Sequence, residues 1–400
     1  MKHNILVLSS LFPSNAAPGN GLFIRERMFR VAKHVNLIVV SPVPWFPGQR
    51  LLQIFKKNYR PQPDKMEIQQ GITIYYPRFL AFPGILRNLD ADMIYRCTLP
   101  LIKRLKREYN IEIIDSHFTY PDGLAATWLA NKLGLKSTIT LRGTEIPHSK
   151  LPKRRMQLLQ AWRQADKLFS VSDSLRQHAI ALGADGSKFT VIGNGIDTEK
   201  FKPIEKATAK RRLNIDPEAK VLITVGGLVE RKGFHRVIEC IPDLLKHHPK
   251  LVYLIVGGAN AEGNYKPQIC NLADRLSVTN HIRFLGSLKP EELSLPLSAA
   301  DTFILSSSNE GWANVILEAM ACGTPVIASD VGGNAEVVNS EELGYIVPFG
   351  DHQKLLHAIQ QALLKNWSIA TLTQYANDNH WNNRINLILN EYQRLTKKTN

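Results

Sequence analysis

The chain has 400 residues, 44% hydrophobic and 21% charged, with a formal net charge of +15; this is a globular composition too long for one hydrophobic core, so two domains are expected. No apolar run approaches the roughly 18 residues of a membrane span, and Cys97, Cys240, Cys270 and Cys322 are too scattered for a disulfide framework or a Cys-x-x-Cys zinc site, which fits a reducing cytoplasm. Charge is lopsided: residues 1–200 hold 29 Lys+Arg against 15 Asp+Glu and the second half 21 against 20, so the first half is expected to face something anionic.

Lys2-His3 before the apolar Ile5 to Phe12 has the outline of a short signal peptide. The continuation Gly19-Asn20-Gly21-Leu22-Phe23-Ile24-Arg25-Glu26 instead makes it a first buried strand, then a Gly-rich loop and a helix. Further strands are expected at 37–40, 72–76, 111–115, 137–141, 167–171 and 189–192. In the second half they are expected at 221–225, 251–256, 282–285, 302–305, 325–328 and 344–347. Helical patterns fill most gaps, which predicts an α/β chain of two Rossmann-like, doubly wound domains with parallel sheets. The break is placed in Gly193-Asn194-Gly195-Ile196-Asp197 to Pro203, giving expected domains 1–195 and 196–372. A terminal segment, 373–400, carries Trp381, Ile385, Ile388 and Leu389 at amphipathic spacing.

Two stretches join apolar and basic residues. Leu99, Leu101, Ile102 and Leu105 alternate with Lys103, Arg104, Lys106 and Arg107, while Leu51, Leu52, Ile54 and Phe55 precede Lys56 and Lys57. Such helices can lie on an anionic membrane surface, so peripheral association is expected of them. Next, Ile111-Glu112-Ile113-Ile114-Asp115-Ser116-His117 places His117 just beyond a buried strand. Thr140-Leu141-Arg142-Gly143-Thr144-Glu145 ends a second strand similarly, and the two turns would be neighbours in a parallel sheet.

Gly226-Gly227-Leu228-Val229-Glu230-Arg231-Lys232-Gly233 follows strand 221–225 and opens a helix. Its glycines let the backbone approach a ligand, and Arg231 with Lys232 supplies charge for a diphosphate. Two cations there oppose the helix dipole unless an anion offsets them. The next two strands end in Val256-Gly257-Gly258-Ala259 and Phe284-Leu285-Gly286-Ser287-Leu288.

The most informative stretch is Ser306 to Asp330, in which Glu310-Gly311-Trp312-Ala313-Asn314-Val315 leads to Glu318. Asn314 looks like an N-cap, and Val315, Ile316, Ala319 and Met320 keep helical spacing until Gly323. Glu310 then sits in a strand-to-helix turn and Glu318 about one turn inside the helix, ~6 Å further along its axis. A helix N-terminus at such a turn offers free N–H groups to an anion. One carboxylate at the mouth and one behind suits a molecule with hydroxyls at one end, ribose at the other and phosphate between.

The Glu310-x7-Glu318 pair, followed by Met320-Ala321-Cys322-Gly323-Thr324-Pro325-Val326-Ile327-Ala328-Ser329, resembles the retaining glycosyltransferases of family 4. The motifs His117-Phe118-Thr119-Tyr120-Pro121-Asp122-Gly123 and Arg142-Gly143-Thr144-Glu145 resemble the subgroup that includes teichuronic-acid-type and other surface-polysaccharide transferases. The resemblance implies a GT-B fold, with two Rossmann-like domains facing across a cleft and the last helix crossing back onto the first domain. It implies a nucleotide-sugar donor, UDP- or GDP-linked, and a glycan or lipid-linked acceptor. The donor would be held by Gly21, Gly227, Arg231, Lys232, Gly258 and Leu285, and by Glu310, Gly311, Trp312, Ala313, Asn314, Val315 and Glu318. His117 would stand beside the transferred sugar as a catalytic residue with Glu310, Arg231 and Lys232. Asn20, Arg25, Arg142, Glu145 and Asn194 are acceptor-side or active-site candidates. Frequent family prolines are replaced by Ala313 and Ala335, which removes no functional group.

Retention is carried over from the family. A double displacement would need two carboxyls about 5 Å apart across one bond, whereas helix geometry directs Glu318 away from the turn. Front-face substitution is expected instead, without metal or cofactor: two cationic side chains and N–H groups can replace Mg²⁺. A cytoplasmic chain, peripheral on the inner face of the plasma membrane, follows. A sugar-nucleotide epimerase of the same fold and a phosphorylase with lysine-bound pyridoxal phosphate both fit the first-half motifs poorly. A non-catalytic basic protein for membrane or nucleic acid would not need the intact donor-side ionisable groups, and no nucleic acid partner is expected.

Overall fold

A computed structural model describes residues 2–55, 59–260 and 262–397. The chain divides into two compact units, Met1–Asn194 with Arg384–Asn400, and Gly195–Asn383.

The first unit is built on an eight-stranded sheet. Its spatial order is Phe189–Val191, Lys167–Ser170, Lys136–Leu141, Ile113–His117, Asn4–Leu8, Asn36–Val40, Ile72–Tyr75 and Met66–Gln69. From Asn4–Leu8 the chain winds one way through Asn36–Val40, then returns to the other side through Ile113–His117. That reversal is a topological switch point, where open α/β sheets place ligands beyond the strands' carboxyl ends. One expectation is corrected: the sheet is not wholly parallel, because Met66–Gln69 pairs antiparallel with Ile72–Tyr75. Gln70 and Gly71, both at positive φ, make the two-residue hairpin between them. Val43–Trp45 and Arg78–Leu80 form a small parallel pair absent from the sequence reading.

The helix Asp90–Tyr109 supplies a second correction. Ile102 and Leu105 are fully buried with Ala125, Ala126 and Leu129, and Leu99 and Leu101 pack against the same core. The stripe expected on a membrane therefore covers the unit's own sheet. Lys56 and Lys57, the basic pair of the other stretch, lie outside the described residues.

The second unit has the order Ile282–Gly286, Val252–Val256, Val221–Val225, Thr302–Leu305, Val326–Ser329 and Gly344–Val347, all parallel. Numbered by sequence this is 3-2-1-4-5-6, the Rossmann order. Its strands alternate between two cores: Val221, Ile223, Leu254 and Phe303 face one layer of helices, and Leu222, Tyr253, Ile255 and Ile304 face the other. Burial on both faces explains the nearly continuous apolar runs that mark these strands in the sequence. The switch point falls between Val221–Val225 and Thr302–Leu305.

The final helix, Trp381–Thr396, starts in the second unit, where Trp381 fills the space that Gly195 leaves. Its later residues belong to the first unit, where Glu391 takes Lys167 and Thr190, and Tyr392 meets Phe169 edge-on.

Candidate active site

In the second unit the switch point gathers the donor-side residues. Strand Val221–Val225 runs into Gly226 and a 3₁₀ turn, Glu230–Lys232, and strand Thr302–Leu305 runs into Ser306 to Glu310. The two loops are laced together. Ser308 N–H donates to Arg231 O at 2.9 Å, and Gly233, at φ 73°, lets the first loop press on the Ser306 carbonyl. Lys232 lays its stem over Gly226 and puts Nζ 2.6 Å from Glu310 Oε1. Both are largely buried, which makes this pair more than a surface contact.

Arg231 Nη1 lies 4.0 Å from the same Glu310 oxygen. Its main partner is Glu262, which accepts from Nε at 2.6 Å and Nη2 at 2.7 Å. Glu262 hangs from a tight turn: Asn260 Oδ1 accepts from Glu262 N–H, and the Asn260 amide packs where Gly227 lacks a side chain. Neither residue carries a motif in the sequence, and Glu262 had no signal beyond its charge. Gly258 similarly faces Ser287, and Leu285, the penultimate residue of its strand, packs against the core.

Glu310 is held from behind. Gly332, at φ 55°, brings the Asp330–Gly333 turn against the Glu310 carbonyl. Asn334 Nδ2 donates to Ser329 O, and Ser329 Oγ donates to Ser307 O. The helix after Glu310 spans Asn314–Ala321. Its N-cap is Ala313, extended at φ −85° and ψ 96°, with no side-chain cap, so Asn314 is its first helical residue rather than the cap expected. Trp312 and Val315 pack against the core, and Glu318 is half-buried one turn in. Two cations thus meet one carboxylate, four residues before a helix starts.

The first unit has its own cluster. His117 is the last residue of its strand, paired beside Thr140, rather than lying beyond it. Its ring is fully buried, with Arg142 Nε and Nη2 at 3.2 and 3.1 Å from Nδ1 and Asp115 Oδ2 3.5 Å from Nε2. A guanidinium only donates, so Nδ1 accepts and the proton sits on Nε2. Burial, then Arg142, hold His117 well below its ordinary pKa, which keeps the ring neutral. Burial pushes Asp115 up to about 6, against the hydrogen bond that Thr138 donates to it.

Arg142 also donates to Asn194 Oδ1 and stacks over Phe23 at 5.0 Å. Burial, then Arg27, lowers its pKa well below the usual guanidinium value. Glu145 is buried and saturated by its own surroundings: Thr119 N–H and Oγ1 donate to one oxygen, Arg142 and Gly143 N–H to the other. It fixes the Arg142 turn and has no lone pair facing outward for a ligand. Arg27, fully buried, donates to Ile192 O, Gly193 O and Asn194 Oδ1, and burial lowers it to about 10. Sequence reasoning missed it, although Ile24, Arg27, Met28 and Val31 form the buried stripe of the helix Leu22–Val31 at i, i+3, i+4, i+7. Gly21 starts that helix with its Cα against the Leu11 carbonyl. Arg25 is half-buried on it, and Asn20 is exposed in the loop before it.

Comparison with known proteins gives a consistent outcome. The family described as "Glycosyl transferases group 1" matches residues 205–379, and "Glycosyltransferase Family 4" matches residues 53–200. A candidate teichuronic acid biosynthesis glycosyltransferase, TuaC of Bacillus subtilis, is 28% identical over 389 residues, 94% of this chain and 90% of the relative. A D-inositol 3-phosphate glycosyltransferase of Actinosynnema mirum is 32% identical over 303 residues, 71% of this chain and 72% of the relative. Among solved structures, Anabaena Alr3699/HepE in complex with UDP aligns with a TM-score of 0.74 at 19% identity, covering 98% of this chain and all of that one. The sucrose-phosphate synthase of Thermosynechococcus elongatus aligns at 0.77 and 20% identity, covering 98% of this chain and 99% of that one. Similarity at this identity shows the fold.

Proposed function

The chain belongs to the glycosyltransferases of group 1 and family 4, and has their GT-B fold; from that premise we propose that it transfers a sugar, with retention, from a UDP- or GDP-linked donor to a glycan or lipid-linked acceptor of the cell surface. The observation that carries this reading is Lys232 meeting Glu310 at the switch point of a Rossmann sheet, with Arg231 alongside. The HepE complex with UDP-glucose supports a nucleotide sugar of the UDP type. TuaC's name supports a surface polysaccharide as the product class. A lipid-linked acceptor would set the chain to work peripherally on the inner face of the plasma membrane.

In this reading the C1–O bond to the donor's β-phosphate breaks, and the phosphate leaves with the electron pair. The acceptor hydroxyl attacks C1 from the same face and passes its proton to the departing phosphate oxygen. Negative charge therefore grows on that phosphate, where Arg231, Lys232 and the N–H groups at the start of Asn314–Ala321 stabilise it. These groups take the place of a divalent cation. Glu310 holds the sugar hydroxyls and supports positive charge developing at C1, and Glu318 takes the ribose. On the acceptor side Arg142 is the available cation. His117, buried and neutral, is assigned to holding it, together with Glu145 and Asn194. Release of UDP or GDP from a panel of nucleotide sugars, supplied with acceptor extracts, tests the reading; no release from any donor overturns it.

Two expectations separate the carboxylates. Glu318→Gln should weaken binding of the bare nucleoside diphosphate about 10-fold, because a ribose clamp loses a charge-assisted acceptor. Glu310→Gln should spare that affinity yet depress sugar transfer about 100-fold. Calorimetry with UDP and GDP decides it, and equal losses in both variants contradict the assignment. A third expectation concerns Glu262, which accepts from both Nε and Nη2 of Arg231 and would compete with a donor phosphate for them. Both partners are partly solvated, so the competition is modest, and Glu262→Gln should tighten nucleoside diphosphate binding about 2- to 5-fold. Weaker binding would make Glu262 a donor contact rather than a competitor.

A further inference from the structure

We propose that Glu67 is a positioning residue for the transfer: from the edge hairpin of the first unit it fixes the Gly-rich loop, residues 9–21, and through that loop Asn20 and Gly21. The inference rests on the transferase reading above for its consequence, and on contacts within the first unit for its geometry.

The register of the strand Met66–Gln69 carries it. Successive side chains of a strand alternate between faces, and here the polar pair turns inward while the apolar pair meets water. Glu67 and Gln69 are half-buried, whereas Met66 is 48% and Ile68 68% exposed. A slip of one residue against Ile72–Tyr75 would exchange the two sets. Apolar burial alone would favour that slip. The observed register is therefore held by what Glu67 and Gln69 meet on the inner side.

They meet the loop. Glu67 accepts from Asn15 N–H with its two oxygens at 3.1 and 3.2 Å. Gln69 Nε2 donates to Pro13 O at 3.0 Å, and Tyr76 OH, just past the hairpin, donates to the same carbonyl at 2.6 Å. Gln69 Nε2 also lies 3.1 Å from Glu67 Oε2, and Asn15 Nδ2 donates to Asp64 Oδ2 at 3.2 Å. Tyr76 is buried, so water does not compete for its hydroxyl, and the carboxylate makes the Asn15 bond charge-assisted.

Position then passes along the loop. Ser14 and Ala17 exchange both backbone bonds, and Asn20 N–H donates to Ala17 O at 3.2 Å. Gly21, at φ 64°, presses on the Leu11 carbonyl as the helix Leu22–Val31 begins. The root is tied as well: Ser10 N–H and Oγ each donate to Asp122 Oδ2 at 2.9 Å, in the turn Thr119–Gly123 that follows His117. The loop leaves Asn4–Leu8 at the switch point of its sheet. It is longer than the about 2–6 residues of an ordinary strand-to-helix connection, a length that goes with function. Tied at root and tip, it offers Asn20 and Gly21 to an acceptor in one place, without the entropy loss of ordering them on binding.

The test joins hydrogen exchange to kinetics on the full chain, with UDP or GDP release from a nucleotide sugar titrated against acceptor extract. Glu67→Ala should speed exchange of the amides of residues 13–17 about 10-fold. It should also raise the apparent KM for extract about 10-fold and change kcat much less, because the loop holds acceptor and not the departing phosphate. Tyr76→Phe, which keeps the ring, should move both readouts the same way by about 2- to 4-fold. Glu67→Gln keeps an acceptor for the Asn15 N–H and should recover most of the loss. Ile68→Thr, on the outer face of the same strand, should change neither readout, and thermal unfolding of each variant checks its fold. Should Glu67→Ala not fold, the Tyr76→Phe and Glu67→Gln pair decides. Inward charge on an edge strand also serves to prevent pairing with another chain. If that were the whole role, Glu67→Ala would self-associate while loop exchange and KM stayed at parental values, and the inference would fall. Faster loop exchange with an unchanged KM would overturn it too. Absence of nucleotide release by the parent from every donor would instead sink the transferase reading, and faster exchange in Glu67→Ala would still show that Glu67 holds the loop.

Discussion

Lys232→Ala is expected to lower turnover by about 100- to 1000-fold while leaving the protein folded. Its Nζ is held 2.6 Å from Glu310 Oε1 by a stem lying over Gly226, so the ammonium is pre-positioned rather than recruited from solvent. Such a cation acts most strongly on charge that appears in the transition state, and removing one preorganised group of this kind costs about 3 kcal/mol. Part of the loss would come through Glu310, whose nearest remaining cation is Arg231 at 4.0 Å, itself engaged with Glu262. Steady-state release of the nucleoside diphosphate measures it. An Ala variant with unchanged turnover and an intact unfolding transition would remove Lys232 from the mechanism.

Gly332→Ala is expected to cost both stability and transfer. Its φ of 55° belongs to the left-handed region, and a methyl group there would stand 1.7 Å from the Glu310 carbonyl oxygen, a backbone atom that cannot rotate aside. The turn and the Glu310 loop must part, at about 2–4 kcal/mol. Because the displaced peptide is that of Glu310, turnover should fall with stability, and nucleotide affinity less so. Thermal unfolding with and without UDP, alongside kinetics, tests this. Wild-type melting and wild-type turnover together would show that the two loops are not locked as described.

Much of the second unit was legible because its requirements are local. Close backbone approach needs Gly226 and Gly227 at a strand end, a strand-to-helix turn needs the run from Glu310 to Val315, and strands buried on both faces read as unbroken apolar runs. The antiparallel edge strand Met66–Gln69 was missed although its Gln-Gly hairpin was a readable turn signal. The Asn314 cap failed for a different reason: Asn at a helix start is a preference, and the extended backbone of Ala313 decided where the helix began.

The sequence by itself determined that two Rossmann-like sheets form and which short motifs end their strands. It also determined that residues 51–57 and 99–107 each combine apolar and basic side chains. Which stripe is covered was decided by tertiary structure alone. Leu124–Leu133 returns to bury Ile102 and Leu105, whereas no described element covers Ile54 and Phe55. The same holds for charge. Lys232 and Glu310 are 78 residues apart, and Arg231 finds Glu262 only because a turn beyond another strand brings it there. Spacing along the chain gives a side chain its direction from one element; its partner is set by how the elements pack, and that is a property of the folded sheet.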